Sequence, residues 1–141
     1  MIIGIGTDLL DIARVRKILE QSAGSRFLER VLTSRERELA ASRQGRLAEF
    51  TAGRFAAKEA VVKAIGCGIG KEISFQDLEI LPDRKGKPLC SLSEAAMKRL
   101  STEGILPAVE SGSIAIHLSI THTETMAMAY AIVERRDGAV G

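Results

Sequence analysis

The chain of 141 residues has no tryptophan and one tyrosine, and aromatic residues make up only 4% of it. Stacking platforms for unpaired bases are built from such rings, so no nucleic-acid partner is expected. The two cysteines, Cys67 and Cys90, lack CxxC-type spacing and read as free thiols of a reducing compartment. No apolar run approaches the length of a membrane span. Met1-Ile2-Ile3-Gly4 lacks the charged stretch and apolar region of a signal peptide. These absences predict a cytoplasmic location and no membrane association. His117 and His122 have no nearby Cys pair and no HExxH context, which speaks against a zinc site.

What remains is ordinary for a soluble globular domain, with 45% hydrophobic and 27% charged residues. The length suits one domain, read as residues 1–134, followed by a flexible tail at 135–141. Net charge is only +2 but is unevenly placed. Between Arg14 and Arg37 stand Arg14, Arg16, Lys17, Arg26, Arg30, Arg35 and Arg37 against Glu20, Glu29 and Glu36. Such a stretch either steers an anionic partner or is a solvated helical surface.

Periodicity and punctuation give a coarse element map. Ile2 to Asp8 reads as a strand with Ile3, Ile5 and Thr7 on one face. Gly4, Gly6 and Asp8 share the other, leaving room for a backbone or a ligand. Asp11 is placed to cap a helix over 12–23 that Gly24 ends. Thr33 and Glu36 have capping-box spacing for a second helix, and Ser91 and Glu94 for another reaching about Glu103. A long helix over 47–65 ends at Gly66. Phe75 to Leu81 reads as a strand, Pro82 to Lys87 as a turn and Pro88 to Cys90 as a short return strand. Ser113 to Thr121 alternates, with Ile114, Ile116, Leu118 and Ile120 opposite Ser113, His117, Ser119 and Thr121. The last strand, 125–133, is apolar on both faces and needs cover on both, from a helix or another subunit.

The long helix carries the chemistry-bearing residues. Glu59 and Lys63 lie four apart, with Ala52, Phe55 and Ala56 beside them on the wheel. A carboxylate among small apolar neighbours needs a compensating charge, from Lys63 or from a metal ion. Asp8 ends a strand face cleared by glycines. Two carboxylates brought together repel unless a cation sits between them, and Mg²⁺ takes one or two carboxylates plus phosphate oxygens and waters. Lys63, His117 and Ser119 would supply charge and donors for phosphate oxygens, which points to phosphoryl chemistry. Gly66-Cys67-Gly68-Ile69-Gly70-Lys71 is not a Walker A loop, because Glu72 follows the lysine and Ile65 occupies the first glycine position. Nor is it a dinucleotide fingerprint, because it follows a helix. It reads as a helix cap and turn.

Four segments, in order, resemble holo-acyl-carrier-protein synthases, the small bacterial type of 4'-phosphopantetheinyl transferase. They are Gly4-Ile5-Gly6-Thr7-Asp8, Gly53-Arg54-Phe55-Ala56-Ala57-Lys58-Glu59-Ala60, Lys63-Ala64-Ile65-Gly66 and His117-Leu118-Ser119-Ile120-Thr121-His122-Thr123. The resemblance spans nearly the whole chain. It implies an α+β fold, with an antiparallel sheet wrapped by a long helix, in a homotrimer with interfacial active sites. It implies Mg²⁺ on Asp8 and Glu59. Lys63 and His117, with Ser119 and Thr121, would lie near the coenzyme A phosphates. Arg54 and the turn Gly86-Lys87-Pro88 would lie near the nucleotide end. Arg14, assisted by Arg26, would dock an acidic acyl carrier protein.

The implied reaction moves 4'-phosphopantetheine from coenzyme A to a serine of acyl carrier protein, in fatty acid biosynthesis, and releases 3',5'-ADP. The catalytic residues would be Asp8, Glu59 and Lys63. Glu59 would accept the serine proton directly or, preferably, through a water. Other carrier domains are alternative acceptors. A non-catalytic, nucleotide-binding trimer and an RNA-binding domain are the alternatives from other classes; the first predicts binding without turnover and the second a steep salt dependence.

Overall fold

Two glycines let a helix lie directly against a strand. β1 (Ile2–Asp11) turns Gly4 and Gly6 toward α4 (Leu47–Ile65). A Cβ on either glycine would stand 1.9 Å from a helix carbonyl oxygen, Ala64 O for Gly4 and Ala60 O for Gly6. The cleared face therefore admits another backbone. The computed structural model describes residues 1–107 and 113–136. Residues 108–112 and 137–141, which include most of the expected tail, lie outside the described residues.

β1 joins β5 (Met126–Arg135), and β5 joins β4 (Ile114–His122), in one antiparallel sheet of order β1-β5-β4. The register sets Asp8 opposite Ala129 and Ala129 opposite Ile120 on the face toward α4. Thr7, Tyr130 and Ser119 line up on the other face. Ala56, Ala57, Ala60 and Val61 of α4 are fully buried, as are Ala131 and Val133 of β5. Small side chains on both elements permit this close stacking. The outer face carries Ile5, Leu9, Met128 and Tyr130, and Leu9 is 62% exposed. The doubly apolar last strand is thus covered on one side by its own chain and open on the other.

A hairpin of β2 (Leu78–Pro82) and β3 (Pro88–Leu92) stands beside this sheet. Its turn is tied by Asp83 Oδ1, which accepts from the amides of Lys85 and Lys87, and Gly86 takes a positive φ of 86° there. Helices α1 (Ile12–Glu20), α2 (Gly24–Val31), α3 (Ser34–Ser42) and α5 (Glu94–Thr102) complete the fold. The expected α+β architecture, an antiparallel sheet packed on a long helix, is present.

Several local expectations need correction. Gly24 does not end the first helix. It opens α2, with negative φ, where a Cβ would meet Leu19 O at 2.5 Å. Phe75 to Asp77 is a short 3-10 helix rather than strand, because Asp77 Oδ2 accepts from the Ser74 amide and hydroxyl and closes a local cap. The N-cap of α5 is Ser93, whose hydroxyl accepts from the Ala96 amide, while Ser91 belongs to β3. β5 extends to Arg135, and the Arg136 amide donates to Ser113 O. The Thr33–Glu36 capping box forms as expected.

The fully buried charge of α4 is Lys58, not Glu59, which is half-buried. Lys58 Nζ donates to Glu36 Oε1 at 2.6 Å, to Val31 O at 2.7 Å and to Phe75 O at 3.0 Å. All three ammonium hydrogens are thereby used. The alanine-rich wheel marks a helix surrounded by protein, and the charge it hides is the one with a partner on another element.

Candidate active site

Packing β1 on α4 brings Asp8 to Glu59 and Lys63, which the sequence sets more than fifty positions away from it. Lys63 Nζ donates to Asp8 Oδ1 at 3.1 Å and to Thr7 O at 3.0 Å. Asp8 is largely shielded, and the Lys63 side chain is about half exposed. Burial pushes the Glu59 carboxyl above its ordinary range, and the charge of Asp8 pushes it further, with Lys63 and Arg30 opposing. Among the described residues, no hydrogen-bond donor reaches the Glu59 carboxylate. Two acidic groups that repel each other, one without a donor, suit a hard cation with oxygen ligands. No group of three or more His, Cys, Asp or Glu gathers around a point among the described residues.

Arg54 faces a different part of the molecule. Its Nε donates to Ile80 O at 3.1 Å, and its guanidinium lies 4.4 Å from the centre of the Phe50 ring. Burial lowers its pKa to about 10, with Glu36 opposing and Arg43 adding to the effect. It remains a cation at neutral pH, poorly hydrated and suited to an anion. A cleft of about 550 Å³ opens beside it, lined also by Arg43, Arg46, Gly86, Pro88 and His122. Arg54 and the Gly86 to Pro88 turn, expected to lie together, do so. Lys87 belongs to the same turn but does not line the cleft.

Sequence reasoning missed Arg43, Arg46, Phe50 and His122 in this cleft. A signal was present for Phe50, which precedes Arg54 by one helical turn on the same face. His122 had been set aside with the zinc possibility.

His117, Ser119 and Thr121 are not brought to Asp8. They stand on the outer face of the sheet, whereas Asp8 stands on the inner one. His117 Nε2 lies 2.8 Å from Glu134 Oε1. The sheet separates this row from the carboxylate pair within one chain. Arg14 on α1 and Arg26 on α2 are exposed, with no ion-pair partner among the described residues. Arg16 is paired with Glu49 at 2.9 Å. Burial pushes the Cys90 thiol up to about 12 and, with help from Glu72, raises that of Cys67. Neither is a thiolate nucleophile at neutral pH.

Comparison with known proteins shows the family. Residues 4–119 match the 4'-phosphopantetheinyl transferase superfamily. A holo-[acyl-carrier-protein] synthase of Bacillus cereus is 44% identical over 135 residues, covering 95% of this chain and 97% of the relative. The crystal structure of a holo-(acyl-carrier-protein) synthase from Bacillus anthracis, in complex with CoA (3',5'-ADP), is 41% identical. It superposes with a TM-score of 0.74, covering 96% of this chain and 98% of that one. The holo-[acyl-carrier-protein] synthase of Neisseria meningitidis is 33% identical, with a TM-score of 0.79 and coverage of 96% and 100%.

Proposed function

The chain belongs to the 4'-phosphopantetheinyl transferase superfamily, and from that premise we propose how its residues carry the reaction. It is an enzyme that transfers 4'-phosphopantetheine from coenzyme A to a serine of acyl carrier protein. The observation that carries the reading of the site is the meeting of Asp8, Glu59 and Lys63 where β1 crosses α4.

In this reading the serine hydroxyl oxygen attacks the phosphorus that bears pantetheine. A new P–O bond forms, the pyrophosphate P–O bond breaks, and 3',5'-ADP leaves with the bonding pair. Lys63 offsets negative charge on the pyrophosphate as it separates, within reach of the Asp8 carboxylate it already pairs with. Glu59 accepts the serine proton, preferably through a water, since a carboxylate that also holds a cation is a weak base by itself. The family works with a divalent metal. Asp8 and Glu59 would hold it, and Mg²⁺ fits their two carboxylates best. When bound, it would neutralise charge on the pyrophosphate. Arg54 and the turn Gly86-Lys87-Pro88 hold the nucleotide end, since the cleft that Arg54, Gly86 and Pro88 line also carries Arg43, Arg46 and the Phe50 ring. Arg14 and Arg26 dock the acidic carrier.

The active unit is a homotrimer with its sites between subunits. Two observations support this. The outer sheet face is apolar yet exposed. The row His117, Ser119 and Thr121 looks away from its own chain's Asp8, so a second copy is needed to present it to the coenzyme A phosphates. The pathway served is fatty acid biosynthesis, in the cytoplasm, in keeping with two free thiols. Among the described residues, no helix is long and apolar enough to cross a membrane.

Intact mass spectrometry of apo acyl carrier protein, incubated with the enzyme, coenzyme A and Mg²⁺, tests the reaction. A gain of about 340 Da on a serine, abolished by EDTA, is expected of metal-assisted transfer. No gain from a folded enzyme that still binds coenzyme A would overturn the choice of carrier. No gain with any carrier domain would overturn the transferase reading.

A further inference from the structure

We propose that Glu36 and Lys58 are positioning residues for the nucleotide end of the site, acting on Arg54 through the backbone of Ile80. The proposal rests on the reading of Arg54 as a nucleotide-end contact. Glu36 and Lys58 touch neither the cleft nor the carboxylate pair. Both are fully buried.

The connection is continuous. Glu36 Oε1 accepts from Lys58 Nζ at 2.6 Å and from the Thr33 amide at 2.8 Å. Its other oxygen, Oε2, accepts from the Ile80 amide at 2.9 Å. The carbonyl of the same residue, Ile80, accepts from Arg54 Nε at 3.1 Å. Ile80 is therefore held at both of its polar backbone groups. It also lies in β2, opposite Cys90 of β3, in the hairpin whose turn brings Gly86 and Pro88 to the cleft. One buried pair thus sets the positions of the arginine and of the turn facing it.

Stability alone does not account for the pair. Desolvating two charges costs about as much as their attraction returns, and apolar side chains of similar volume often stabilise such a site equally well. What apolar side chains cannot do is accept from the Ile80 amide and fix its orientation. With Nε committed to Ile80, no acceptor among the described residues takes the terminal nitrogens of Arg54. They are left for an anion in the cleft, and a misplaced guanidinium would lose directional bonds.

The test uses steady-state kinetics of Glu36→Gln and of the double variant Glu36→Leu with Lys58→Met, which replaces the pair by apolar groups. Both are expected to raise KM for coenzyme A about tenfold, leaving KM for the carrier protein and kcat within about twofold. Loss of folded enzyme lowers the active concentration and not KM, so a merely structural role would leave KM for coenzyme A unchanged in both variants and overturn the proposal. Arg54→Ala is the reference. If it raises KM for coenzyme A and the pair variants do not, positioning is wrong while the nucleotide-end reading stands. If Arg54→Ala itself leaves that KM unchanged, the reading and the proposal both fall. In an Arg54→Ala background, Glu36→Gln is expected to add no further rise in KM. A full additional tenfold effect there would show that Glu36 acts by another route and overturn the proposal.

Discussion

Gly6 lies so close to Ala60 that the backbone of β1 touches the backbone of α4, with 1.9 Å between the Cβ that Gly6 lacks and the carbonyl oxygen of Ala60. Asp8 lies two residues beyond Gly6, and Glu59 directly precedes Ala60. The approach that excludes a methyl group is the one that brings the two carboxylates together.

Gly6→Ala must therefore push the helix away or distort the strand. Overpacking of this kind costs about 1–3 kcal/mol. Urea unfolding should show a lower midpoint with an unchanged slope. Transfer activity should fall by more than the loss of folded protein explains, because Asp8 moves relative to Glu59.

Asp8→Ala removes one of the two carboxylates and frees Lys63 of its side-chain partner. That ion pair is partly exposed, so stability should change by less than about 1 kcal/mol. Metal-dependent turnover should fall by about 10²-fold or more, with the melting temperature nearly unchanged. Near-normal turnover would refute the assignment of Asp8 to the metal.

Arg14→Glu reverses charge on the exposed face of α1 without touching the buried Ile12 and Val15. KM for the carrier protein should rise about tenfold, and more at low salt. KM for coenzyme A should stay the same. Equal losses in both would indicate damage to the fold.

Asp77 gives the fold a predictable acid sensitivity. Burial pushes its carboxyl up, but bonds from the Ser74 amide, the Ser93 and Ser74 hydroxyls and Arg99 together outweigh this and hold it below the ordinary aspartate range. A carboxyl lowered on folding contributes stability that is fully present above its unfolded pKa and is lost as pH falls through the folded value. Asp77→Asn should be less stable than the parent at neutral pH by about 1–2 kcal/mol. The gap should close only in acid, as pH falls through the lowered folded-state value, in urea melts taken across that range.

The elements whose signals are local were legible in the sequence. The long helix starts at Leu47 and ends at Ile65, because Gly66 takes a left-handed φ of 97° as its cap. The Thr33–Glu36 box depends on residues three apart. The faces of β1 and β4 follow from strict alternation. Where two local signals compete, reading by spacing failed. Ser91 and Ser93 both precede α5, and the pairing of β3 with β2 claims Ser91. Gly24 resembles a stop and serves as a start, because the turn from α1 folds back onto Leu19 O.

The amino-acid sequence by itself determined which side chains share a face, where the long helix begins and ends, and, through its motifs, the family and its reaction. Tertiary structure decided which faces meet. Asp8 reaches Lys63 only because β1 packs on α4, and His117 is turned from both by the pleat of an intervening sheet. It also decided that Lys58, not its neighbour Glu59, is the buried charge, since its partners Glu36, Val31 and Phe75 lie on other elements. The physical reason is range. Caps and periodicity act within about four residues of chain, whereas burial and charge pairing depend on whatever the fold carries to the same place.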